Sequence, residues 1–296
     1  MKNYSVKKRS LLLALTSSFV WWSFVFVVIF FLITLVDLVY PLISGQKIGG
    51  TVLYRIIFAA SASAIANFFV HFLIAPRLNK QYSSFRKILL NIAEYGYSEK
   101  IIASMEEQLK VCMNDKTKNI TYINQYAMFL GEAYLSLHQY DKAAEKLGLA
   151  DYELMKQQAR DSDDAAAKHN IVMLHVLWVQ LYSACGSVKM TEQWITKGEG
   201  YFSNYRGINE MSDYFVDTAY FESLMIHGQY DNALKLLEKY ENEEQLKFGI
   251  TFDKARCLKK MGDKKQADIL FDKAYKMATN DWRRKTVEIE KASIAS

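Results

Sequence analysis

The five histidines, His71, His138, His169, His175 and His227, are the side chains best suited to general acid-base work or metal binding at neutral pH. None lies in an HExxH spacing or has a cysteine nearby. His138 and His227 stand in the turns of two similar segments, which points to structure rather than to a ligand site. Cys112, Cys185 and Cys257 are far apart and odd in number, so they form neither a disulfide framework nor a metal spacing. Each is expected to be a small buried apolar residue. Asp161, Asp163 and Asp164 share only their charge with a calcium loop, because the required glycine and terminal glutamate are missing. Residues 45–51, GQKIGGT, have the glycines of a phosphate-binding loop without the lysine that the motif needs, and read as a flexible turn. Residues 119–121 form a glycosylation sequon, expected to face the cytoplasm and stay unused. No constellation supports catalysis, so no enzyme activity, cofactor or metal is expected.

The elements that carry these residues differ in composition. Residues 1–76 contain Lys2, Lys7, Lys8, Arg9, Lys47 and Arg55 against Asp37 alone. The whole chain has 37 basic and 32 acidic residues, so residues 77–296 carry 31 of each. The pI near 8.8 therefore comes from the N-terminal part. A balanced domain argues against nucleic acid as a partner, since phosphate binding needs a basic surface. Proline occurs only at Pro41 and Pro76, which leaves the remaining length free to be helix.

Residues 11–40 form an apolar run longer than the ~20 residues that cross a bilayer. The sequence predicts two transmembrane helices within residues 20–76, at about 20–39 and 56–74, after a basic cytoplasmic N-terminus and interfacial segment at 1–19. In the second, Ala59 with Ser63, Ala60 with Ala64 and Ala62 with Ala66 form small-xxx-small pairs that let a helix approach closely. The first span is the expected partner, and homodimerisation through the same face is the alternative. Asp37 and His71 fall near the ends of the spans, where interfacial placement is expected. Basic residues flank both outer ends, so both termini should be cytoplasmic, which makes a multi-pass plasma-membrane protein facing the lipid bilayer. Residues 77–84 read as a juxtamembrane linker.

From residue 85 onward apolar residues recur at three and four, as in Ile88, Leu89, Ile92 and Ala93. Residues 137–147, LHQYDKAAEKL, and 226–237, IHGQYDNALKLL, are the clearest copies of a recurring hairpin. Their aspartates, Asp141 and Asp231, are placed to cap the second helix. Leu130, Gly131, Tyr134 and Ala143, and later Ala255, Leu258, Gly262, Ala267, Phe271 and Ala274, lie at the spacing of a helix-turn-helix repeat. In this the chain resembles the tetratricopeptide repeat family. Equivalent positions are Ile101, Ala143, Thr191, Ala233 and Ala267, of which only the last two stand 34 residues apart. The expected fold is all-α: the transmembrane hairpin, then a tetratricopeptide-like α-solenoid of about five hairpins over residues 85–296. A solvated C-terminal capping helix closes it.

The resemblance implies a superhelix whose concave face, lined by the first helix of each pair, holds a peptide or a partner's helix. Inward positions mapped in this way are Gln125, Met128 and Glu132, then Met173, Val176 and Gln180, then Phe215, Thr218 and Glu222, and finally Phe252 and Arg256. The set is mostly apolar and lacks the Lys, Asn and Arg combination that clamps a C-terminal carboxylate, so an amphipathic helix or extended apolar peptide is the implied ligand. The alternative is that these residues pack within the domain. The expected function is a membrane-anchored scaffold for a membrane-associated protein partner. The second reading is an accessory subunit of a transporter or secretion complex, contacted mainly through the transmembrane hairpin.

Overall fold

Helix follows from a sequence almost free of proline, with apolar residues on one stripe and a turn every twenty residues or so. The computed structural model describes residues 27–29, 31–32, 43, 60–62, 80–114, 120–161 and 164–293. The chain divides into two units, Met1–Lys87 and Ile88–Ser296.

No helix among the described residues is long and apolar enough to cross a membrane. This overturns the transmembrane hairpin as part of the fold, and with it the multi-pass placement in the plasma membrane with both termini cytoplasmic. The physical reason is that hydrocarbon tolerates only a continuous helix of ~20 residues, whose backbone groups bond one another throughout. Within 20–39 and 56–74 only residues 27–29, 31–32 and 60–62, all helical, are among the described residues. Ala60 is exposed and Ala62 half-buried, while Ala59, Ser63, Ala64 and Ala66 lie outside the described residues, as do Asp37, His71, the loop at 45–51 and the asparagine of the sequon.

All regular structure among the described residues is helical, in a solenoid-like array of antiparallel pairs. Helices α1 (Lys80–Tyr95) and α2 (Glu99–Asn114) come first; α2 packs on α3 (Ile120–Ser136), which pairs with α4 (Tyr140–Leu147). After the single helix α5 (Tyr152–Asp161) come α6 (Ala165–Ala184) with α7 (Val188–Tyr205), and α8 (Glu210–Ile226) with α9 (Tyr230–Glu238). A short 3-10 turn, Glu244–Leu246, leads into α10 (Lys247–Lys260) and α11 (Lys264–Met277), and α12 (Asp281–Ala292) ends the array. Helix α1 begins at Lys80, inside the segment expected to be a linker. Helix α5 lies within the long spacing between Ala143 and Thr191.

The pairs share one turn chemistry. Gly96, Gly186, Gly228 and Gly262 adopt φ of 68, 73, 67 and 89°, the left-handed region that glycine enters without a Cβ penalty. The residue after the turn donates back to the carbonyl five positions earlier, from Ser187 to Tyr182 (2.9 Å), Gln229 to Leu224 (2.8 Å) and Asp263 to Leu258 (3.0 Å). These bonds satisfy carbonyls that a helix end leaves free. Asp263 caps α11 by accepting from the Gln266 amide at 3.1 Å. Asp141 and Asp231 do not cap: Gln139 and Gln229 hold the cap position, and the aspartates fall inside the first turn, where their charge still favours the helix dipole.

Each second helix presents one small and one large side chain inward. Ala143 with Leu147, and Ala233 with Leu237, are buried one turn apart. Leu147 lies against Gly131, so that even a methyl group there would overlap its side chain. Around Leu237 the core gathers Phe221, Met225, Tyr240, Leu246, Ile250 and Cys257. Burial of such side chains contributes about 1.5 to 3 kcal/mol each, which is what holds short helices like α9 in place. Cys112 and Cys257 are buried, but Cys185 is exposed, because it stands at the C-terminal end of α6 just before the turn.

Candidate functional site

The first helix of each later pair ends near a common point. Glu222 near the end of α8 and Arg256 in α10 meet there, with Arg256 Nη1 at 2.7 Å from Glu222 Oε1. Arg256 also donates to Asp253 Oδ1 at 3.0 Å. Ser183 in α6 donates to Glu222 Oε2 at 2.9 Å, and the Tyr214 hydroxyl to Asp253 Oδ2 at 3.0 Å. Glu222 and Asp253 are almost fully buried. Their attraction outweighs the burial that would lower the Arg256 guanidinium, and holds its pKa well above the ordinary value. Burial raises the Asp253 carboxyl and Glu222 pushes the same way, against the opposing pull of Arg256.

The C-terminal helix completes the site. Glu290 of α12 lies 3.0 Å from His138 Nε2, in the turn between α3 and α4. Lys259 donates to the Glu290 carbonyl and, at 2.8 Å, to Ser293 Oγ. Burial would raise the Glu290 carboxyl, but the His138 hydrogen bond, Arg256 and Lys259 bring it down to about 2. Together His138, Ser183, Glu222, Arg256, Lys259 and Glu290 line a cavity of about 580 Å³. Among the described residues no group of three or more His, Cys, Asp or Glu side chains could hold a metal ion.

The groove positions mapped from the sequence divide in two. Met128, Met173 and Val176 are buried in the core, because the inner face of each first helix packs on the next pair. Gln125, Glu132, Gln180, Phe215, Thr218, Phe252 and Arg256 are half-buried, and Glu222 is buried. Only Glu222 and Arg256 of this set meet in the cavity. Glu132 accepts from the Tyr97 hydroxyl, Phe215 stacks on His169, and Phe252 stacks on Phe248.

His138, Lys259 and Glu290 were not among the mapped positions. The signal for His138 was present: aligning HQYD at 138–141 with GQYD at 228–231 sets His138 opposite Gly228, not opposite His227. His138 has φ of 56°, the one non-glycine residue with positive φ among the described residues. A side chain there costs roughly 1 kcal/mol or more and persists where something else requires it.

The chain matches no known protein-family model, no curated protein and no solved structure. Fold and site define its class only as an α-helical repeat array.

Proposed function

We propose that the array is a protein-binding scaffold of tetratricopeptide-like hairpins, which takes a partner's helix on its concave side and catalyses no reaction. The observation that carries this reading is the convergence of Glu222 and Arg256, two inward positions on successive first helices, on one cavity of about 580 Å³. Inward charged groups on consecutive repeats are what a helical ligand meets when it lies across the pairs. A neutral balance of charge over residues 77–296 supports a protein rather than a nucleic acid as that ligand.

Photo-crosslinking tests the reading. A photoreactive residue at Gln180 or Phe252, both half-buried on first helices, is expected to yield a protein adduct in cells. The same probe at exposed Lys235 on the second helix α9 is expected to yield none. Adducts from Lys235 alone would place binding on the outer face and reject the concave-side assignment.

A further inference from the structure

The sequence suggests a solvated cap at the C-terminus, but α12 touches more than its neighbour. Val287 does what a cap does, burying itself with Ala267, Phe271 and Ala274 of α11. The other contacts reach the far end of the array. Trp282 packs edge-on to Tyr97, with ring centroids 5.5 Å apart. It also covers Gly96 so closely that a Cβ there would fall inside the indole side chain. Lys285 lies 3.5 Å from Glu99, and Glu290 pairs with His138. A second cavity of about 580 Å³, lined by Tyr97, Leu137 and Trp282, flanks this end of α12.

We infer that α12 is a ligand held in cis: it occupies a helix seat formed by Gly96, Tyr97, Glu99 and His138, and a partner competes for that seat as a helix bearing an aromatic side chain and, eight residues on, a carboxylate. Each part of the seat has a counterpart on α12. Gly96 leaves room for a flat aromatic ring, the Tyr97 ring receives its edge or face, and Glu99 takes a cation between the two anchors. His138 takes the carboxylate from a left-handed turn position, where Gly96, Gly186, Gly228 and Gly262 stand in other turns between helices. Its left-handed backbone is unfavourable for a side chain, and the contact with Glu290 gives that side chain a use. A solvated cap needs none of these long-range contacts. Because α12 is covalently attached, its effective concentration at the seat is on the order of millimolar, and an outside helix binds well only when the cis contacts are weakened.

This deepens the scaffold reading and rests on it. The test uses the full chain and a fluorescein-labelled synthetic peptide of residues 279–293. Glu290→Gln keeps the size of the side chain and Val287, so the array stays assembled while the cis contact loses its charge. The peptide is expected to bind this variant about tenfold more tightly than the unaltered chain, the factor that one charged hydrogen bond is worth. It should bind Trp282→Ala/Glu290→Gln more tightly still. Adding His138→Gly to either variant should reduce peptide affinity about tenfold, with helicity by circular dichroism unchanged, because glycine suits the left-handed turn. Equal affinity for the unaltered chain and both variants, at unchanged helicity, would overturn the inference. So would a His138→Gly change that leaves peptide binding as it was. Failure of the scaffold reading shows separately, as absence of adducts from Gln180 and Phe252 with the peptide result intact.

Discussion

Replacing Arg256 with methionine is expected to destabilise the array by about 3 to 5 kcal/mol, the cost of leaving buried carboxylates without their cation. Arg256 donates to both Glu222 and Asp253, which have little access to water. Methionine fills most of the same volume but offers no donor, so the loss is electrostatic rather than a cavity. Urea denaturation should show the midpoint falling with its slope little changed. Adding Glu222→Gln to the same chain should restore a good part of the loss, since one of the two stranded charges is then gone. If Arg256→Met shifts the midpoint by less than ~1 kcal/mol, the range of an exposed ion pair, the network is not buried as described.

The second large effect is acid sensitivity centred on His175. The ring is buried among Tyr152, Trp194, Tyr201 and Phe202. Its Nδ1 lies 3.2 Å from the Trp194 carbonyl and its Nε2 3.3 Å from the Tyr152 hydroxyl. Burial lowers its pKa from 6.5 to about 4, against the opposing pull of the Trp194 carbonyl and with the repulsion of Lys197 and Lys156. The folded state thus binds this proton less readily than the unfolded chain does. Stability from His175 is complete above pH 6.5, falls as the pH drops through that value, and is lost by about pH 4. The loss over that window is on the order of 3 kcal/mol. His169 is lowered by burial too and adds in the same direction. Glu290 contributes in a lower window, as its carboxyl titrates between 4.5 and about 2. Asp253 and Glu132, both raised by burial, oppose the trend, so substitution isolates His175 better than the whole-protein profile does. His175→Phe should flatten the dependence of the unfolding midpoint on pH between 6.5 and 4. An unchanged slope in that variant would mean that His175 is not the group responsible.

The hairpins were legible in the sequence because their signals are local. A left-handed turn residue, a small residue in the following helix and an apolar side chain one turn later all lie within a dozen positions, as at Gly228, Ala233 and Leu237. Helix α5 was hidden because Tyr152–Asp161 buries only Met155 and reads as polar chain. The terminal spans were read from apolar length alone, whereas no helix among the described residues is long and apolar enough to cross a membrane. Which of the mapped positions are buried was not legible. Periodicity sets Met128 and Val176 on the same face as Glu222 and Arg256, but cannot tell a face that meets solvent from one that meets the next pair. The seat of α12 was illegible for another reason. Trp282 and Tyr97, or Glu290 and His138, meet across more than 150 residues of chain, and nothing near either residue in sequence records the other. Only His138, a side chain in a glycine position, carried a local trace.

Closure of the array by α12 is the claim on which the seat, the partner's pattern and the competition all depend. Carbodiimide coupling of the dilute full chain, with mass spectrometry of the peptides from its monomeric fraction, tests it directly. Lys291 and Asp272, 2.7 Å apart within the last two helices, provide the internal control. Lys285 and Glu99, 3.5 Å apart and joined only if α12 reaches α2, provide the measurement. A closed array yields both crosslinks, whereas recovery of the Asp272 to Lys291 crosslink without one joining Glu99 to Lys285 would show that α12 does not reach α2.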